Sequence, residues 1–273
     1  MDQNYLPRKA VQIRRDLLNM IYTGKAGHTG GALSSVDILV ALYYKVMRVD
    51  PENAAWGDRD YFIMSKGHSV EGLFCILADL GFFPKDELKT FCAFGTRLIG
   101  HPNNKVPGIE MNTGALGHGL SVGVGMAKGL KMFSRENRVF VVMGDGEQAE
   151  GSLWEAAMAA SFYKLDNLTA VIDRNHLQIS GDTENVMALE PLADKWTAFG
   201  WQVEETDGHN VNALADVFSK KGNGKPRLFI ARTCKGKGVR EMENVAKWHH
   251  GVPDAELLRS AMNQFAEAER ALA

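Results

Sequence analysis

The chain has 273 residues, 45% of them hydrophobic, with 31 Lys and Arg against 33 Asp and Glu. That length and apolar content suffice to bury the core of one large α/β domain or two small ones, which excludes a disordered chain. A formal net charge of −2 gives no push toward nucleic acid or an anionic membrane, and no apolar run approaches the ~20 residues of a bilayer span.

The opening MDQNYLPRKAVQIRRD has no apolar leader region, so no secretory signal is expected. SSVDILVALYYKVM (34–47) has a Ser/Asp start and helical apolar spacing, and YFIM (61–64) reads as a strand. GLSVGVGMAKGLKMF (119–133) is helical with small residues on one face, so it should pack closely against a neighbour. RVFVVM (138–143) is the next strand, and GSLWEAAMAASFYK (151–164) is an alanine-rich helix. LTAVID (168–173), WQVEET (201–206) and RLFIART (227–233) read as further strands. The tail PDAELLRSAMNQFAEAERALA (253–273) places Leu258, Ala261, Phe265, Ala268 and Leu272 on one helical stripe.

Strands alternating with helices predict an α/β fold: a doubly wound, mostly parallel sheet with helices on both faces. No Pro/Gly/Ser-rich linker divides the chain, so residues 1–273 read as a single domain. Cys75, Cys92 and Cys234 lie far apart and form no CxxC, as buried thiols in a reducing cytosol would. A soluble, cytoplasmic protein is expected.

Ligands of open parallel sheets sit at the carboxyl ends of the strands. RVFVVM runs into Gly144-Asp145-Gly146, and LTAVID into Asp173-Arg174-Asn175. Asp145 and Asn175 are separated by about 30 residues, one strand–helix–strand crossover, and should meet at neighbouring strand tips. A carboxylate, an amide oxygen and a backbone carbonyl are hard ligands suited to Mg²⁺ or Ca²⁺. Gly146 and the following helix offer N–H groups to a diphosphate. The alternative makes GDG a strand-to-helix turn capped by Asp145; the second oxygen site weighs against it.

Five of the eight histidines directly follow glycine: His28, His68, His101, His118 and His209. GHTGG (27–31), SKGH (65–68) and GHPN (101–104) point to a shared polar site, whereas His209 reads as a turn residue. No histidine pair has the zinc-helix spacing, and no cysteine stands near, so zinc is excluded. Gly24-Lys25 and Gly224-Lys225 lack the rest of a phosphate-binding P-loop, and Gly123, Gly125 and Gly129 make no dinucleotide fingerprint. CKGKG (234–238) ends a predicted strand and reads either as a phosphate-facing turn or as a solvated basic loop, the loop being preferred.

Taken together, GHTGGALSSVDILVALYY, SKGHSVEGL, GHPN, TGALGHGLSVGVGMA, GDGEQAEGSLWEAAMAA, IDRNHLQISG and WHHGVP resemble the transketolase family in order and spacing, over nearly the whole chain. The resemblance implies a thiamine diphosphate cofactor held through Mg²⁺ or Ca²⁺ by Asp145, Asn175 and the Leu177 carbonyl. It implies that Gly146 and His68 lie against the diphosphate, with Gly144 and the helix-start acid Glu147 in the same cradle. Gly114, Leu116 and Ile179 should contact the rings of the cofactor. His28, His101 and His250 should face the ketose donor, His250 being preferred to His249 because it precedes glycine. Glu150 and Glu155 resemble carboxylates at a dimer centre that link paired active sites; His118 replaces a glutamine common in the family.

The implied reaction moves a two-carbon ketol unit from a ketose, commonly a phosphate ester, to an aldose. The pyrimidine-binding and C-terminal domains of a full-length transketolase have no counterpart here. A split enzyme is therefore expected, with this chain as its N-terminal subunit, inactive alone and assembled as α₂β₂ with a partner carrying the pyrimidine domain. The α subunit of a 2-oxo acid dehydrogenase likewise carries GDG, but GHTGG, SKGH and HHGVP separate the two. A non-catalytic paralogue would show lost metal ligands or histidines, and none is lost.

Overall fold

Three of the expected apolar runs, RVFVVM, LTAVID and RLFIART, become the inner strands of one sheet because they are apolar on both faces, with YFIM and WQVEET at its edges. The structure, a computed structural model, describes residues 2–273. In chain order it contains α1 (Tyr5–Gly24), α2 (Thr29–Ala41), β1 (Tyr61–Met64), α3 (Glu71–Leu80), α4 (His118–Met132), β2 (Val139–Gly144), α5 (Gly151–Phe162) and β3 (Leu168–Arg174). There follow a two-stranded ribbon, β4 (Leu177–Gln178) and β5 (Gly181–Asp182), then α6 (Thr183–Val186), α7 (Leu192–Ala198), β6 (Gln202–Asp207), α8 (Val211–Ser219), β7 (Arg227–Arg232) and α9 (Ala255–Ala271). The main sheet has the order β1-β2-β3-β7-β6 and is parallel throughout, as expected.

Alternate residues of the strands enter two separate cores. From β2, Phe140 and Val142 join the core built with α1, α2, α3, α8 and α9, while Val139, Val141 and Met143 join the one built with α4, α5 and α7. Both faces are thus covered, which is why the strands read as continuous rather than alternating apolar runs. The close packing expected of the glycine-rich helix occurs at Gly123 of α4, where a Cβ would come 2.7 Å from Val141 Cγ2. Gly125 and Gly129 instead face open space. The α9 stripe is as expected: Ala261 and Phe265 are buried, and Leu258, Ala268 and Leu272 pack at its margins.

One helix boundary differs from expectation. α2 starts at Thr29 rather than near Ser34, because Gly30 and Gly31 of GHTGG lie inside its first turn and His28 is its N-cap. Ser34 and Ser35 do not cap; their hydroxyls donate back to the Gly31 carbonyl at 3.0 Å. α1, α3 and α8 are not among the expected elements. α1 carries a buried stripe including Leu17 and Ile21, and its Arg14 is paired beneath the surface with Asp37 at 2.5 Å.

Candidate active site

The register of the sheet brings the two oxygen sites together. Gly144 pairs with Asp173 across β2 and β3, so Asp145 and Asn175 leave adjacent strand tips. Asp145 is 2% exposed. Its Oδ1 accepts from the Gly146 N–H at 2.8 Å, and its Oδ2 accepts from the His176 N–H at 2.6 Å and Arg174 Nη1 at 3.3 Å. Burial, then the neighbouring Asp173 carboxylate, push the Asp145 carboxyl above its ordinary range despite Arg174. A divalent cation would reverse that balance. Asn175 Oδ1 accepts from the Leu177 N–H at 3.1 Å, which holds the amide beside the third expected donor. Carboxylate, amide and carbonyl oxygens of Asp145, Asn175 and Leu177 thus fit a hard cation.

These three residues line a cavity of about 350 Å³, within the range of small-molecule sites. His28, His68, Gly114, Leu116, Gly144, Gly146, Glu147 and Ile179 line it too. Gly146 keeps it open: a Cβ there would come 3.0 Å from Gln178 Cβ and close the approach to the backbone N–H. Gly114 has φ 145, a conformation side chains rarely adopt, and a Cβ would meet His101 Cδ2 at 2.7 Å. Ile179 is 73% exposed, at the mouth.

Two ammonium groups in the cavity wall carry more of the site than the sequence signals. Lys66, of the SKGH motif, is buried and paired with Asp173, which also accepts from Ser34 and Thr233. Burial alone would raise Asp173; the Lys66 ammonium and these hydrogen bonds outweigh it and hold the carboxyl low. Lys235, expected in a solvated basic loop, is 2% exposed. Its Nζ donates to the Leu177 carbonyl at 3.0 Å and lies 3.1 Å from His249 Nδ1. The flanking glycines and lysines suggest solvation, but the residues after β7 turn inward at the strand tip. Burial, then Lys66, lower the Lys235 ammonium to about 8. Two buried cations facing one cavity suit a diphosphate, whose negative charge would offset their desolvation.

Glu147 does more than stand at a helix start: it is buried in the first turn after Asp145, and its carboxylate accepts from the Ser65 hydroxyl, the Gly117 N–H at 2.8 Å and the Gly144 N–H at 2.9 Å. It therefore ties the loop over 113–117 to the tips of β1 and β2.

The histidines converge. The His28 ring stands 5.1 Å from His68, 6.2 Å from His101, 5.7 Å from His249 and 4.9 Å from His250, centroid to centroid. Burial, then neighbouring cations and imidazoles, lower His28 to about 4, His249 to about 3 and His68 to about 2. Burial lowers His101 as well. These shifts favour neutral imidazoles at His28, His68, His101 and His249. Both His249 and His250 belong to it; His249 lines the cavity and His250 is more exposed. His118 is exposed, its Nδ1 3.2 Å from the Leu116 carbonyl. His209 is no mere turn residue: Nδ1 is 2.7 Å from Asp37 Oδ2 and Nε2 accepts from the Cys234 N–H at 2.8 Å, which pins the segment bearing Lys235 to α2.

Glu150 and Glu155 lie outside the cavity and are exposed. Glu150 is the N-cap of α5 and sits against Gly117, where a Cβ would come 2.5 Å from its own Cβ.

Residues 7–266 match the family model described as the transketolase, thiamine diphosphate binding domain. The chain is 53% identical over 256 residues to one of the subunits of the apulose-4-phosphate transketolase of Phocaeicola vulgatus, covering 93% of this chain and 91% of that one. It is 40% identical over 263 residues to a 6-deoxy-6-sulfo-D-fructose transketolase subunit of Clostridium sp., covering 95% and 96% of the two. The crystal structure of Campylobacter jejuni transketolase superposes with a TM-score of 0.89 at 29% identity, over 96% of this chain and 43% of that one. The chain thus spans less than half of that solved enzyme, and almost all of the relatives that are themselves subunits. Its sheet order, its strand-tip cavity and these likenesses agree: the chain belongs to the transketolase family, as its thiamine diphosphate binding part.

Proposed function

We propose that this chain is the cofactor-holding subunit of a two-subunit transketolase that moves a two-carbon ketol unit from a ketose phosphate to an aldose. The observation that carries this reading is the convergence, at one cavity, of three hard oxygen donors, two buried ammonium groups and the histidine cluster, of which His28, His68 and His249 line the wall. Asp145, Asn175 and the Leu177 carbonyl would hold Mg²⁺ or Ca²⁺. The Gly146 N–H, Lys235 and His68 would face the diphosphate, with Gly144 and Glu147 shaping the cradle and Gly114, Leu116 and Ile179 against the rings. Bound there, thiamine diphosphate supplies the carbon nucleophile and the electron sink that ketose C–C cleavage needs. His28, His101 and the His249–His250 pair stand where they can exchange protons with donor hydroxyls.

Exposed Glu150 and Glu155 fit an interface between copies, and an α₂β₂ assembly with a partner bearing the pyrimidine-binding half completes the site. Three free thiols suit the cytoplasm. Apulose-4-phosphate, named for the relative of 53% identity, is the preferred substrate over the sulfonated sugar named for the one of 40%.

Mixing the purified chain with the partner that carries the pyrimidine domain, thiamine diphosphate and Mg²⁺ should reconstitute ketol transfer, with neither protein active by itself. Failure to form a complex, or a complex that transfers no two-carbon unit from apulose-4-phosphate, xylulose-5-phosphate or the sulfonated sugar, would refute the reading.

A further inference from the structure

Glu71, at the start of α3, is fully buried among α1, α2 and α3 and belongs to none of the groups lining the cavity. Its Oε1 accepts from the His28 N–H at 2.7 Å. Its Oε2 is buried and has no hydrogen-bond partner among the described residues. Gly27 leaves room for the carboxyl, since a Cβ there would come 3.1 Å from Oε1 and 2.7 Å from Ile21 Cγ1.

On its other side the same short stretch is held by residues 246–251. The Gly251 N–H donates to the Gly27 carbonyl at 3.1 Å, and the Thr29 hydroxyl donates to the Gly251 carbonyl at 2.6 Å. The backbone before α2 is therefore gripped between one carboxyl and one loop, and His28 is the residue between the grips. A core position serving packing alone would carry Leu or Met, because an orphaned buried oxygen costs stability. The carboxyl's hydrogen bond beyond its own residue is the one to the His28 N–H.

We propose that Glu71 is a positioning residue for the donor site, whose carboxyl fixes the His28 main chain and thereby the place of its imidazole among His68, His101, His249 and His250. This rests on the ketol-transfer reading for its effect on turnover, though not for its effect on His28. What the position requires is an acceptor oxygen of the right reach. Glu71→Gln keeps that oxygen and the volume. Glu71→Met keeps the volume and the apolar packing but removes the acceptor.

In the reconstituted two-subunit enzyme, Glu71→Gln should stay within about twofold of the wild type in kcat and in donor KM. Glu71→Met should lose about tenfold in kcat/KM for the donor, as expected for one lost hydrogen bond that aligns a reacting group, with thiamine diphosphate affinity by calorimetry unchanged. Equal kcat/KM in the Met and wild-type enzymes, or a Gln variant as impaired as the Met one, would overturn the proposal. Hydrogen exchange on the wild-type chain alone supplies the arm that needs neither variant nor activity. The His28 amide should be protected as strongly as amides in the middle of α2, and exchange at the rate of an exposed loop amide would overturn the proposal as well. Wild-type inactivity in the mixture with a protected His28 amide would count against ketol transfer and not against the grip of Glu71.

Discussion

Lys235 donates from Nζ to the carbonyl oxygen of Leu177 at 3.0 Å, which joins the segment after β7 to the ribbon that follows β3. The second neighbour of that ammonium is His249 Nδ1, at 3.1 Å. A charged lysine has no acceptor to offer, so this contact makes Nδ1 the acceptor and leaves the His249 proton on Nε2. One buried cation thus sets both the wall of the strand-tip cavity and the tautomer of a histidine beside it. Among the described residues no carboxylate pairs with it, and a bound anion would supply the missing charge.

Replacing Lys235 by Met should weaken thiamine diphosphate binding about 10- to 100-fold, the range of one charge-assisted hydrogen bond. The melting temperature of the free chain should not fall, because the variant removes a buried cation that lacks an ion-pair partner. Calorimetric titration with the cofactor and Mg²⁺ measures the first, and thermal unfolding the second. An unchanged dissociation constant would remove Lys235 from the diphosphate site.

Asp145→Ala should abolish the metal-dependent part of cofactor binding, a loss of about 100-fold or more. Arg174 would keep Glu184 and Glu190, at 2.9 and 3.0 Å, so its charge would not be stranded and the fold should survive. Titration with and without Mg²⁺ separates the outcomes. Cofactor affinity that still responds to Mg²⁺ in the variant would sink the assignment of Asp145 to the metal.

The parts of this site that are legible in the sequence are those that motif and strand position fix together. β2 and β3 read as apolar runs, and the residues that end them inherit strand-tip positions from the topology, so Asp145 and Asn175 can be paired on sequence alone. The glycine-preceded histidines are legible because three of them share a site. Lys235 is not, because lysines between glycines look alike in composition whether they face water or a cavity. Glu71 is not, because one acid in an apolar helical run is the usual mark of an exposed position, and only the turn before α2 puts a donor against it. Glu147 is legible only in part: its place at a helix start is local, but of the three donors that hold its carboxylate, Ser65, Gly117 and Gly144, the first two lie far away in the chain.

Buried Glu71 should make stability fall with rising pH over a defined window. Burial raises its carboxyl to about 7, against the pull of the His28 N–H and Lys66. Cys75 and Cys92, the other titratable groups nearby, are pushed up by burial and are neutral there. A raised carboxyl binds its proton more tightly in the fold than in the unfolded chain. The associated stability is complete below the unfolded value of 4.5 and lost as pH rises through about 7. The full span corresponds to about 3 kcal/mol. The histidines act the other way: with folded values of about 4 for His28 and about 3 for His249, their contribution is complete above 6.5 and lost as pH falls. Denaturant unfolding of the wild type and Glu71→Gln from pH 4 to 8 isolates the first effect, since the histidines cancel in the difference. The variant should gain on the wild type as pH rises from 4.5 to 7, and a flat difference would show that Glu71 does not titrate in that window.

His101 and Gly114 test the donor side. His101→Ala should leave cofactor affinity near normal while lowering turnover about 100-fold, as for loss of an acid–base group. Gly114→Ala should act on both properties, because φ 145 is strained for alanine and its Cβ would drive into the His101 ring at 2.7 Å. Combining the two removes the collision but not the backbone strain. The double variant should therefore bind cofactor better than Gly114→Ala alone while turning over no faster than His101→Ala. Steady-state kinetics on the reconstituted enzyme, paired with calorimetry, reads both. A fully active His101→Ala enzyme would take the imidazole out of the donor site, and equal cofactor affinity in the single Gly114 and the double variants would show that the loop and the ring are not in contact.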